Sequence, residues 1–327
     1  MTRVQNHIAQ SIPNSPAHMA QQHYVKHIIH AVLFCFMILG FSSCSREILA
    51  PIQDNTATGP VIQCVLNTDS VQNLLYSKVV KIDENFAPIS DANIDLVIHN
   101  KNRFSFSSNQ PGVYKIEPCT LAPRDSFSVF FISPTDTFSV TDAMPSTIAF
   151  TKTDTFTQAI AGIGNTQNFM IQIKDSAIDE NYYKISAKRE VKKYILNNAN
   201  QVADSTITWE SLKIDGNEIP FQRNNYNNYT DYEILFSDET FNGVLSSLEF
   251  YNLLPFSNSK SEKTLSVTIT LDNLTKALFD YYNSRAAHLW NQRSITQLPG
   301  PIQSNIPKGY GVIGGKTQVS WTIKYPN

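Results

Sequence analysis

Leu265-Ser266-Val267-Thr268-Ile269-Thr270-Leu271 alternates aliphatic and hydroxyl side chains without a break. Successive side chains of an extended chain point to opposite faces. This period of two therefore sets an aliphatic stripe on one side of a strand and a hydroxyl stripe on the other. The same period recurs outward in both directions. Val319, Trp321, Ile323 and Tyr325 repeat it at the end of the chain, and the stretches 168–174, 182–195 and 232–236 repeat it earlier. Closer to the start, Ala92, Ile94, Leu96 and Ile98 share a face, and Phe104 and Phe106 follow. The turn Asn109-Gln110-Pro111-Gly112 leads into residues 113–116, then Phe127, Val129 and Phe131 alternate, then Phe138 and Val140. Short alternating runs with turns every ~8–12 residues predict a mainly all-β chain of β-sandwiches, not an α/β sheet.

Two features break the strand texture. A helix is predicted from about 273 to 290, with Leu274, Leu278, Tyr281, Tyr282 and Leu289 on one face. Asp272 or Asn273 is placed to cap it and Arg285 stands toward its end; it is expected to lie across a sheet as a lid. Gly314-Gly315, between two apolar runs, predicts a tight hairpin, because paired glycines accept the positive φ of a primed turn. Residues 146–167, rich in Thr, Gly and Asn, predict a linker. On this division 61–145 is a first sandwich, and 168–327 a second β-rich domain carrying the helix. Cys64 alternates in step with Ile62 and Leu66, which predicts a buried strand face.

Ala31-Val-Leu-Phe-Cys-Phe-Met-Ile-Leu-Gly-Phe-Ser-Ser-Cys44 is of another kind. Its 13 uncharged residues before Cys44 are too few to span a bilayer, which takes roughly 20. They fit the ~7–15 of a signal-peptide core, and Lys26 precedes them. The run ends in small residues directly before a cysteine, the pattern of a lipoprotein signal. A thiolate is the nucleophile suited to forming a thioether with a diacylglycerol donor, and the freed amine can then carry a further acyl chain such as palmitate. Residues 1–43 are thus expected to be a cleaved signal, Cys44 the lipidated terminus and 44–60 a polar tether. A plain cleaved signal and an uncleaved anchor are the alternatives. Residues 1–22 add nothing a signal needs, so translation starts at either Met1 or Met19.

The leader holds two of the 26 basic residues, Arg3 and Lys26, and none of the 28 acidic ones. The remainder therefore carries 24 basic against 28 acidic residues, a net charge of −4. That balance argues against a nucleic-acid partner, which calls for a concentrated basic face. It also leaves membrane attachment to the acyl chains, of which two or more are needed for stable anchoring.

Chemistry is sparse. Beyond the leader only His99 and His288 remain, in different predicted domains, and no spacing suits a transition metal. No Gly-x-Ser-x-Gly elbow exists, and Gly311-Val-Ile-Gly-Gly-Lys-Thr317 has the wrong glycine spacing for a phosphate loop. No cofactor is implied. Cys64 and Cys119 either form a disulfide, which an exported chain would keep, or stay as two buried thiols. Asp175, Asp179 and Glu180, then Asp238 and Glu239, could cleave a glycoside or hold calcium, but solvated turns explain them as well. Arg223-Asn-Asn-Tyr-Asn-Asn-Tyr-Thr-Asp-Tyr232 interleaves Tyr226, Tyr229 and Tyr232 with amides. Such a loop can stack on sugars or form a protein contact, since tyrosine offers flat area at small entropic cost. An ordinary polar loop entering a strand is the plainer account.

Asp175-Ser-Ala-Ile-Asp-Glu-Asn-Tyr-Tyr-Lys184, Phe236-Ser-Asp-Glu-Thr-Phe-Asn-Gly243, Phe279-Asp-Tyr-Tyr-Asn283 and Ser304-Asn-Ile-Pro-Lys-Gly-Tyr-Gly-Val-Ile-Gly-Gly315 follow one another along the chain. In that order they resemble the domain-of-unknown-function 4249 family. Ile313 stands where the family is expected to carry phenylalanine. The resemblance implies a lipid-anchored outer-envelope protein associated with TonB-dependent outer-membrane receptors. It implies no reaction and no catalytic residue; Asn181 and Gly243 would close turns, and Tyr182 and Tyr183 would fill or rim a sheet. Residues 88–145 also resemble a transthyretin-like, Ig-like sandwich. The expectation is a binding or accessory module in nutrient uptake rather than an enzyme, with the ligand and the membrane face open. A structural or adhesive surface lipoprotein is the alternative, and a carboxylate-based glycoside hydrolase comes third.

Overall fold

A computed structural model describes residues 59–327 except 69, 79–87, 100–101, 118, 135, 161–163, 198–200, 217–231, 240, 254–260, 293–297, 299 and 326–327. The leader, Cys44, the tether to residue 58, Tyr226 and Tyr229 lie outside the described residues.

The spine is β17 (Tyr310–Lys324), a 15-residue strand of roughly 50 Å at ~3.3 Å per residue. Its first part pairs in parallel with β1 (Pro60–Asn67), from Val61 opposite Tyr310 to Asn67 opposite Lys316. Its second part pairs antiparallel with β16 (Glu262–Leu274), from Leu274 opposite Lys316 to Ser266 opposite Lys324. Around it runs a nine-stranded sheet in the order β12-β11-β16-β17-β1-β2-β6-β5. Its other members are β2 (Gln72–Lys78), β5 (Ser107–Gln110), β6 (Val113–Ile116), β11 (Tyr182–Leu196) and β12 (Val202–Ser211), with β14 (Glu233–Ser237) pairing β11 at the side.

Two smaller sheets cover one and the same face of it: Ile313 of β17 enters the core under the first, and Val319, Trp321 and Ile323 pack against the core under the second. β4-β3-β7-β8 comprises Asn102–Ser105, Asn93–Ile98, Ser126–Ile132 and Thr137–Ala143. It closes a core of Ile62, Cys64, Leu74, Leu96, Val129 and Ile313. β13-β15-β10-β9 comprises Asp215–Gly216, Leu245–Leu253, Gly164–Lys174 and Phe150–Ile160. It closes a second core of Phe169, Ile171, Phe250, Ile185, Val267 and Ile269. The chain is thus mainly β, two sandwiches built on one shared large sheet. Val267, Ile269 and Leu271 are fully buried, as the alternation of 265–271 predicts. Each such side chain contributes ~1.5–3 kcal/mol on burial.

Three local expectations change. Residues 150–160, expected within a linker, form β9 on the edge of the second small sheet. Gly314 and Gly315 make no hairpin; they lie inside β17. A Cβ on Gly314 would stand 2.6 Å from Thr275 Oγ1 and 2.9 Å from Leu278 Cβ, and one on Gly315 would stand 2.5 Å from Met144 Sδ. The pair is there because β17 is covered closely on both faces. The helix α1 (Lys276–Gln292) starts later than expected, after Thr275, whose carbonyl accepts from Phe279 N at 3.0 Å. Thr275 also ties the helix to the spine: its N–H donates to Gly315 O at 2.9 Å and its Oγ1 accepts from Gly315 N at 3.3 Å. Asp272 and Asn273, the expected caps, remain in β16, where neighbouring strands claim their side chains.

Candidate functional site

The aliphatic stripes of β11, β16 and β17 face the second core, so the residues between them face outward. The register fixes who stands beside whom. Lys184 is opposite Asp272, and Asp272 opposite Gln318. The next rows are Ser186-Thr270-Ser320 and Lys188-Thr268-Thr322, and the fourth is Glu190-Ser266-Lys324. β14 adds Glu233 opposite Ser186, while β12 sets Ser211 against Lys188, Trp209 against Glu190 and Ile207 against Lys192. The hydroxyls of the floor pair across strands, Thr268 with Thr322 at 2.9 Å and Thr270 with Ser320 at 3.0 Å. Ser266 Oγ donates to Glu190 Oε2 at 2.9 Å.

The outer face is a trough with a wall at one end. Leu278 and Phe279 of α1 bury against Leu235, Leu274 and Val312. The Tyr282 ring then comes within 5.1 Å of Lys184 Nζ. At the other end Ile207 and Trp209 are 58% and 57% exposed. Beside the wall opens a pocket of about 520 Å³ lined by Lys184, Lys188, Tyr232, Glu233, Asp272 and Lys316. That is the size of a small-ligand site.

Its charges are fixed by one another. The Asp272 side chain is 3% exposed, with Lys184 Nζ 3.4 Å from Oδ2 and Lys316 Nζ 3.0 Å from Oδ1. Glu233 Oε1 lies 3.2 Å from the same Lys184 Nζ. Burial by itself would lower the Lys184 pKa, but Glu233 and Asp272 outweigh it and hold the ammonium above its ordinary range. Held in its charged form by these two carboxylates, Lys184 is suited to orienting a polar ligand.

The expected acidic turns meet on the far side of β11. Asp175 Oδ1 accepts from Asn181 Nδ2 at 3.0 Å and from the Tyr183 hydroxyl, and its Oδ2 accepts from Gly243 N at 2.9 Å. Asp238 Oδ2 accepts from Asn181 N at 2.9 Å and from Nδ2 at 3.2 Å. Asn181 Oδ1 in turn accepts from Asn273 Nδ2 at 3.0 Å and Ser146 Oγ at 3.2 Å. Asp175, Asn181, Tyr183, Asp238 and Asn273 are buried, and burial together with the facing Asp175 raises the Asp238 pKa against the bonds from Asn181. Gly243, at φ 74°, completes the joint where a Cβ would stand 2.5 Å from that of Ala177. Asp175 and Asp238 thereby tie two turns together, with both side chains buried.

These motif segments fall in one continuous match. The sequence model described as "Domain of unknown function (DUF4249)" matches residues 46–322. The chain belongs to the DUF4249 family. No curated protein matches this DUF4249 chain. Among solved structures it is similar to a DUF4785 family protein from Legionella pneumophila, at 9% identity and TM-score 0.20, covering 64% of this chain and 51% of that one. It is similar to bovine butyrophilin at 5% identity and TM-score 0.19, covering 82% and 99% of the two chains. The collagen binding domain of the Erysipelothrix rhusiopathiae surface protein RspB matches at 7% and 0.18, covering 82% and 97%.

Of the residues singled out in the DUF4249 sequence, Tyr232 lines the pocket and is half exposed. Cys64 and Cys119 are both buried and unbridged. Burial, with Cys119 nearby, pushes the Cys64 thiol up to about 12; burial raises that of Cys119 too. His99 meets Asp125 at 2.6 Å on the surface, and His288 Nδ1 contacts Gly300 O at 2.6 Å. Among the described residues no group of three or more His, Cys, Asp or Glu could hold a metal ion. Sequence reading missed Lys184, Asp272, Lys316 and Gln318 as a site. Their only signal is that they are the polar halves of alternating strands.

Proposed function

We infer that this DUF4249 chain is an exported, lipid-anchored binding module of the cell envelope, held by acyl chains on Cys44. It works without chemistry of its own, presenting a polar ligand to a TonB-dependent outer-membrane receptor during nutrient uptake. The pocket carries the reading: a recess of about 520 Å³ in which Asp272 and Glu233 hold Lys184 and Lys316 in ion pairs, and which Tyr232 also lines. Preset ion pairs orient a ligand without reorganising. The apolar run from Ala31 ending at Cys44 supports the anchorage.

Fractionation and affinity purification from native membranes test it. The wild-type protein is expected in the outer-membrane fraction, labelled by palmitate and co-purifying with a TonB-dependent receptor. Cys44→Ser should move to the soluble fraction. Retention of Cys44→Ser in membranes, a mature chain still bearing residues 31–43, or a purified complex without the receptor would defeat it.

A further inference from the structure

The outer face extends well beyond the pocket, and its charge is segregated from that of the chain. By register it carries six lysines: Lys184, Lys188, Lys192, Lys263, Lys316 and Lys324. Against them stand three carboxylates, Glu190, Glu233 and Asp272. The chain as a whole is net −2. Lys184 and Lys316 are neutralised by Asp272 and Glu233; among the described residues Lys188, Lys192 and Lys324 form no ion pair.

We propose that this trough binds an acidic polysaccharide, a uronic-acid polymer laid along β11. The inference rests on the binding reading above and names its ligand class. Lys184, Lys188 and Lys192 recur every four residues on one face of one strand, ~13 Å apart. That spacing matches a polymer with repeating charge better than a small anion, which wants donors converging on one point. The floor between them is hydroxyl and amide, from Ser186, Thr270, Ser320, Thr322 and Gln318, a surface complementary to a chain of sugar hydroxyls. Exposed flat rings stand at the margins, Trp209 on β12 and Tyr232 by the pocket, placed to stack on pyranose faces. A flat bilayer is a poorer fit, because α1 rises from the sheet at one end and holds a planar surface off the floor.

The full-length lipoprotein in detergent is run through native gels containing polygalacturonate, or the same polymer fully methyl-esterified. The free acid should retard it and the ester should not. Lys188→Gln with Lys324→Gln should weaken binding about tenfold with an unchanged melting temperature. Trp209→Ala should weaken it while keeping the discrimination against the ester. Equal retardation by acid and ester, indifference to the lysine changes, or stronger retention by anionic vesicles or single-stranded DNA would overturn the proposal. Receptor co-purification is read separately. If it holds while polygalacturonate fails, the ligand class falls and the binding module stands; if it fails while polygalacturonate binds, the reverse is learned.

Discussion

Replacing Gly314 by alanine measures how closely α1 sits on the spine. The new Cβ would stand 2.6 Å from Thr275 Oγ1 and 2.9 Å from Leu278 Cβ. Neither can retreat easily. Thr275 is hydrogen-bonded to Gly315 through both its N–H and its Oγ1, and Leu278 is fully buried against Val312. Overpacking of this kind costs ~1–3 kcal/mol. In a protein of this size that lowers the melting temperature by roughly 2–4 °C per kcal/mol. Gly315→Ala is crowded by the Met144 sulfur at 2.5 Å, in the far part of a flexible side chain, and makes ordinary contact with Phe127 Cε1 at 3.4 Å. Its strain is offset by the ~0.4–1 kcal/mol gained when an unfolded chain loses a glycine. Urea denaturation of the Cys44→Ser protein should therefore rank Gly314→Ala well below Gly315→Ala, which should stay near wild type. Asparagine decides between strand and turn, since it accepts positive φ. Gly314→Asn should be at least as harmful as alanine. A Gly314→Asn protein as stable as wild type would mean that the chain turns there and that the account of β17 is wrong.

Asp272→Ala strands Lys184 and Lys316 at the pocket floor and should cost at least ~2 kcal/mol by denaturant titration, whereas Lys316→Gln should cost less than half of that. Asp238 has a raised folded pKa, so its contribution is complete below the unfolded carboxylate value and is lost as pH rises through the folded one. Asp238→Asn keeps the acceptor for Asn181 and should flatten that decline, gaining stability at neutral and alkaline pH; an unchanged pH profile would count against a raised Asp238 pKa. Cys64 and Cys119 should resist a thiol reagent at mildly alkaline pH in the folded protein and both react in denaturant. Rapid native labelling, or no reaction after unfolding, would contradict two buried free thiols.

Where one face of a strand had to be aliphatic, the sequence spoke plainly. Leu265 to Leu271 announced β16, because burying Val267, Ile269 and Leu271 leaves no freedom of pattern. β9 was silent, since an edge strand rich in Thr, with only Phe150 packed on the core and most of its other side chains exposed, needs no aliphatic alternation. Gly314-Gly315 misled because a glycine required for positive φ and one required for close approach are the same letter. The trough was hidden for another reason. Lys316 and Asp272 are 44 residues apart, and in each strand they look like ordinary solvent-facing residues. Only the pairing of β11, β16 and β17 puts their polar halves side by side. Tyr232 was legible as an aromatic in a polar loop, but nothing local said it would edge a pocket.

The most direct test of the trough as the working surface is amide hydrogen exchange on the native protein in the outer membranes proposed to hold it, with its receptor, against the same protein purified in detergent. In membranes, exchange should slow across β12 (Val202–Ser211), the open edge of the trough, and stay unchanged across β9 (Phe150–Ile160), the edge of the small sheet on the opposite face. Slowing at β9 with β12 unaffected would place the contact surface on the wrong side of the molecule and contradict the account.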